Sequence, residues 1–130
     1  MGKHSEDSVV IKSDKVYASY FSRACKILPD SMIVSIALTS PEGFKGKFYR
    51  DLNPTSHLFN GYKYNNMSAE EYTKTYYYDV LRDLDPNIVY NNLKGKVICC
   101  WEKSGEFCHR NIVMKWLQEN IGEDIIGGEI

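Results

Sequence analysis

Two short runs of the chain, Met32 to Leu38 and Val97 to Cys100, are apolar or nearly so, with Ser35 the one hydroxyl between them. A strand with one face in water alternates apolar and polar residues. One that is apolar on both sides is covered on both, as in a parallel sheet held between helices. Val16-Tyr17-Ala18-Ser19-Tyr20-Phe21 reads as a further strand ahead of these two. The segments between them carry helical signals. Arg23 to Leu28 is a short helical connector ended by Pro29, and Asn53-Pro54 opens a short helix that stops at Asn60-Gly61. Ser68 and Glu71 form a capping box, flanked by Met67 and Tyr72 at the positions of a hydrophobic staple. The helix they start repeats apolar residues at Ala69, Tyr72, Tyr76, Val80 and Leu84. Asp85-Pro86 starts another helix, ending near Gly95. The last begins near Cys108, buries Ile112, Val113, Trp116, Leu117 and Ile121, and stops at Gly122. Asp124-Ile125-Ile126 supplies an edge strand, while Thr39 to Asn53 reads as loop. Strands separated by helices predict an α/β fold: a single three-layer domain with a small, mainly parallel sheet flanked by helices. Residues 15–130 make up that domain, and 1–14, polar and aperiodic, form a flexible leader.

A chain of 130 residues is long enough for one continuous core. The net charge of -1 argues against general nucleic-acid binding, which needs a broad surplus of Lys and Arg. No apolar run approaches the roughly 20 residues that span a bilayer, and the start has no apolar stretch for a signal peptide. These features predict no membrane partner and a cytoplasmic location, with the four cysteines present as reduced thiols. The oligomeric state is not readable.

One segment is chemically loaded: Cys100-Trp101-Glu102, then Cys108-His109-Arg110. The first triplet ends a strand and the second opens a helix, the place where open α/β sheets bind ligands. Unpaired amides at the helix start attract anions, and Arg110 adds a forked donor for phosphate or carboxylate. Glu102 is placed to move a proton or to accept from a ribose, with His109 and Cys108 as further candidates for catalysis. Each has a plainer explanation. Cys108 and His109 extend the buried stripe of the helix, His109 as a core histidine bonded to a neighbouring loop. Arg110 is spaced to pair with Glu106. Glu102, directly after a buried strand, needs a partner or water. A zinc reading of Cys100, Cys108 and His109 is disfavoured on spacing, since they form no C-x-x-C pair and need a fourth ligand from elsewhere, such as His57. A phosphatase loop fails because Glu106 stands where an arginine is required, and no P-loop or Rossmann glycine pattern is present, so no cofactor is expected. Arg50 belongs to a small basic cluster with Lys45 and Lys47 and is a further ligand-binding candidate.

The paired triplets resemble those of the domain of unknown function 488 family, with Cys-x-Glu after a strand and Cys-His-Arg at the next helix. The resemblance extends to Val16–Phe21, to Tyr49-Arg50-Asp51-Leu52-Asn53-Pro54 and to Leu84-Asp85-Pro86. It departs at Ser56-His57, where an aromatic is common. The resemblance implies a compact α/β fold with a shared site but no established activity. It places Cys100, Glu102, Cys108, His109 and Arg110 at that site, with Ser19 and Tyr20 facing it; Trp101, between the first two of these, is a further ligand-binding candidate.

Three functions are compatible with these residues. One is a hydrolase of nucleotide-like substrates, in which Tyr20 and Tyr49 stack a base. Another is a non-catalytic module binding a small anionic or nucleotide-like ligand. In the last, the motif merely ties strand to helix.

Overall fold

The computed structural model describes residues 9–130, and a sheet of five parallel strands runs through its centre. These are β1 (Val16–Tyr20), β2 (Ile33–Ser35), β3 (Lys47–Phe48), β4 (Val97–Cys100) and β5 (Ile126–Glu129), in the spatial order β3-β2-β4-β1-β5. The helices are α1 (Phe21–Ile27), α2 (Ser56–Tyr64), α3 (Ala69–Tyr76), α4 (Pro86–Leu93) and α5 (His109–Asn120). Alternation along the strands divides the core in two. Val16, Ala18, Val34 and Ile98 point to the layer built by α2 to α5. Tyr17, Ile33, Val97 and Cys99 point to α1, where they meet Phe21, Ala24 and Leu28. The domain is α/β with three layers, as its apolar runs predict. α1 and α5 lie on opposite faces, as right-handed crossovers running leftward to β2 and rightward to β5 require.

Local signals decide most boundaries. Ser68 Oγ accepts from the Glu71 amide at 3.0 Å, Asp85 Oδ1 from the Asn87 amide at 2.9 Å, and Thr55 Oγ1 from the Leu58 amide at 3.1 Å. Thr55 therefore caps α2, two residues beyond the expected Asn53. The helix continues through Gly61, whose missing side chain makes room for the Met67 methyl. α3 passes into a single π turn over Tyr77–Leu81, in which Val80 and Leu81 are both buried.

Three expectations are corrected. β3 lies in the segment read as loop; its two residues are exposed, and its pairing with Val34 and Ser35 makes it a strand. The edge strand starts at Ile126, because Glu123–Ile125 form a 3-10 turn, and it runs through Gly127 and Gly128. The run Met32–Leu38 is strand only over Ile33–Ser35, after which the chain leaves the sheet.

The leader expectation for residues 1–8 lies outside the described residues. Residues 9–14 are fastened: the Lys12 amide donates to the Tyr17 hydroxyl at 3.0 Å, the Tyr90 hydroxyl donates to the Asp14 carbonyl at 2.6 Å, and Val9 and Ile11 pack on the α1 layer. Among the described residues, no helix is long and apolar enough to cross a membrane.

Candidate functional site

The chain leaves β2 toward β3 and leaves β4 toward β5, so the two neighbouring strands send their following loops in opposite directions. Divergence of this kind opens a crevice beyond the carboxyl ends of the strands. A cleft of about 680 Å³ lies there. Its floor and near wall are Cys100 at the end of β4, Trp101 and Glu102 after it, and Cys108 and His109 at the start of α5. Ala37, Leu38 and Thr39 after β2 form the opposite wall, while Pro54, Phe59, Tyr62, Lys63, Tyr72 and Phe107 close the helical side.

Aromatic rings build much of that helical wall. Phe107 meets Tyr62 at 5.1 Å and Tyr72 at 5.3 Å between ring centroids, and Tyr72 stacks on Tyr76 at 6.2 Å. The Tyr76 hydroxyl donates to the Leu52 carbonyl at 2.6 Å, which anchors α3 to the segment before α2. Burial, and secondarily the negative Glu102 carboxylate, raise the Tyr72 phenol far above its ordinary range, so it stays protonated. Trp101 bridges the two strand ends. Its indole N–H donates to the Thr39 carbonyl at 2.9 Å, and its ring packs edge-on against Phe21 at 5.0 Å. Lys63 is the cation among the lining residues and Glu102 the acid.

His109 is buried, and its Nε2 lies 2.7 Å from the Ile36 carbonyl. A carbonyl only accepts, so Nε2 carries the proton and Nδ1 presents its lone pair, 3.8 Å from Cys108 Sγ. Ile36 is available because its carbonyl lies just past the end of β2. Burial lowers the His109 pKa from 6.5 to about 4, with Arg110 adding to the effect, and the ring is neutral near pH 7. This is the loop-bonded core histidine, and it also faces a cleft.

The cysteines differ from expectation. Cys100 and Cys108 are joined in a disulfide, so the reading of four free thiols holds only for Cys25 and Cys99. Alternation along β4 separates Cys99 from Cys100 but says nothing of Cys108, which the intervening loop returns to the strand end. Cys100 lines the cleft, whereas Cys99 points into the α1 layer, where burial pushes its thiol up to about 12. The sulfurs of Cys100 and Cys108 and Nδ1 of His109 all lie within 4.8 Å of one another.

Arg110 does not line the cleft. Fully buried, it donates through Nε and Nη2 to Glu129 Oε2, at 3.2 and 3.0 Å. Its Nη1 donates to the Glu102 carbonyl at 2.6 Å and to Cys100 Sγ at 3.1 Å. Neither Glu106 nor an open anion site uses it: the side chain reaches β5 and braces the β4–α5 loop from behind. Glu102 is exposed, so solvent meets the need that a buried carboxylate would have had.

Ser19, Tyr20 and Arg50 lie elsewhere. β1 is on the far side of β4 from the crevice, and the buried Ser19 hydroxyl donates to the Ile130 carbonyl at 3.2 Å. Tyr20 ends β1 and precedes α1. Arg50 is exposed beside the edge strand β3, its guanidinium 4.7 Å above the Phe48 ring. Sequence reasoning missed Lys63, Tyr62 and Phe59 of α2, whose only local signal is an aromatic-rich amphipathic turn. It also missed Glu129, an acid in a glycine-rich strand with no periodicity to mark it. No protein family, curated protein or solved structure matches the chain.

Proposed function

We propose that the cleft binds a small, planar, anionic ligand of the nucleotide type. The observation that carries this reading is the pairing of aromatic walls with one lining cation, Lys63, at the crevice between β2 and β4. A flat base stacks on aromatic faces, and its phosphate is met by a cation and by helix-start amides. α5 starts at the cleft, and no side chain caps its first turn. Arg110 acts as a positioning residue, holding the Glu102 backbone and the Cys100 sulfur. On the same reading the chain is a distant member of the domain of unknown function 488 family, since five residues of the two triplets line the cleft.

The test is calorimetric titration with mononucleotides and sugar phosphates on wild type, Lys63→Ala and Arg50→Ala. The expected result is saturable binding that weakens at least tenfold in Lys63→Ala, about the 1.4 kcal/mol of a modest charge contact, and is unchanged in Arg50→Ala. Equal affinity in Lys63→Ala, or no binding by wild type at millimolar ligand, overturns it.

A hydrolytic role for the same site rests on Glu102, the acid among the lining residues and exposed to solvent. Glu102→Gln then abolishes turnover of the bound ligand while its affinity stays within about tenfold. Binding without turnover by wild type leaves a non-catalytic ligand-binding module.

A further inference from the structure

We propose that, when its two sulfurs are reduced, the Cys100, Cys108 and His109 cluster holds one thiophilic divalent cation, zinc above all, at the floor of the cleft. The inference stands on the donor atoms alone and does not depend on the nucleotide reading.

The three donors come from rigid ends, the last residue of β4, the residue directly before α5 and the first residue of α5. Zinc binds thiolate sulfur at about 2.3 Å and imidazole nitrogen at about 2.0 Å, so tetrahedral donors stand roughly 3.5–3.8 Å apart. Cys108 Sγ and His109 Nδ1 are separated by 3.8 Å, and Cys100 Sγ lies within the same 4.8 Å group. The Cα atoms of the two cysteines are 7.4 Å apart. That exceeds the usual disulfide span of about 4.4–6.8 Å and suits two sulfurs with a third atom between them. Consecutive residues seldom share a ligand, but Cys108 has extended backbone, φ -154° and ψ 146°, directly before the first helical residue, which brings its sulfur and the His109 ring to one side.

The surroundings match what a bound cation needs. The Nε2–H of His109 is held by the Ile36 carbonyl, an arrangement that orients metal-binding imidazoles and leaves Nδ1 free to ligate. The Arg110 guanidinium places positive charge 3.1 Å from Cys100 Sγ, and Glu129 pairs with it from the other side. All three ligands line the cleft, so a fourth position opens toward it. Three protein ligands with an open position is the pattern of a catalytic rather than a structural zinc, and such an ion lowers the pKa of a bound water. Spacing alone misses the site because a strand end and a helix start, rather than a C-x-x-C turn, bring the donors together.

Starting from the disulfide, a dithiol reductant supplies two electrons and two protons, becoming a disulfide itself and leaving two thiols. Binding of the cation then releases those two protons to solvent.

The protein, reduced with a phosphine and freed of it under nitrogen, is titrated with zinc against a chromophoric chelator and, separately, with cobalt. The expected result is one equivalent per chain, with thiolate-to-cobalt charge-transfer absorption and the visible bands of tetrahedral cobalt. Cys99→Ser leaves both unchanged. Cys108→Ser lowers affinity by more than the roughly tenfold to hundredfold loss seen for outer-shell partners. Because Cys108→Ser also removes the disulfide and is open to misfolding, wild type supplies an independent readout: zinc protects Cys100 and Cys108, mapped by mass spectrometry, from alkylation. Folded, reduced wild type without charge-transfer absorption, or with Cys100 and Cys108 alkylated equally with and without zinc, overturns the proposal.

Discussion

Nε2 of His109 donates to the Ile36 carbonyl at 2.7 Å, tying the first residue of α5 to the end of β2 through a ring that is neutral because it is buried. The folded pKa of about 4 lies below the ordinary 6.5, so between these values the unfolded chain binds a proton that the native one refuses. Stability is lost as pH falls from 6.5 toward 4, on the order of 3 kcal/mol over the window. Urea unfolding of wild type and His109→Gln at several pH values should show this component in wild type only. Parallel profiles for the two proteins would mean that the ring is protonated in the native state.

Arg110 leans on Glu129 rather than on Glu106. Glu129→Gln leaves a buried guanidinium short of its counter-charge. Breaking a buried pair costs about 3–5 kcal/mol, discounted here to roughly 2–3 because the Glu129 side chain is 32% exposed. Glu106→Gln, at an exposed position, should change stability by less than about 0.5 kcal/mol. Chemical denaturation near pH 7 decides, and equal costs would refute the pairing.

The four cysteines should separate by reactivity. Cys25 is exposed and reacts with a maleimide in the native state, whereas Cys99 is buried, with its thiol pushed up to about 12, and reacts only on unfolding. Cys100 and Cys108 label only after reduction. Mass spectrometry of the untreated native protein should therefore find the adduct on Cys25. Prompt labelling of Cys99 would contradict its burial.

Gly127 lies flat against the Tyr17 ring, and a side chain there would occupy ring carbons. Tyr17 cannot swing clear, since it is buried and its hydroxyl accepts from the Lys12 amide. Gly127→Ala should cost about 1–3 kcal/mol through overpacking, read as a lower denaturation midpoint. Gly43→Ala has open space around it, so its cost comes from the backbone conformation alone, φ 78°. A Gly127→Ala protein as stable as wild type would show that β5 is not seated on Tyr17.

Legibility in the sequence followed the range of the interactions. α3, α4 and α5 announce themselves through period and caps, and β1 and β4 through apolar runs, all of them local. β3 is two exposed residues made a strand only by β2, and β5 crosses two glycines that carry no strand signal. At the site, Cys100, Trp101, Glu102, Cys108 and His109 were readable because strand end and helix start adjoin in the chain. Lys63 and Tyr62 were not, since α2 reaches the cleft from far earlier in the sequence. Nor was the direction of Arg110, because its partner Glu129 lies in another strand.

The strand order also bears on how quickly the molecule can assemble. β4 sits between β2 and β1, and its partners Ile33 and Tyr17 meet Val97 across about half the chain or more. Closing such long loops must precede any reward from sheet formation, which slows folding relative to chains with local pairings. β1 and β2 are joined only through the strand that carries Cys100, so the cleft at its end depends on the same long-range pairing that unites the two halves of the sheet.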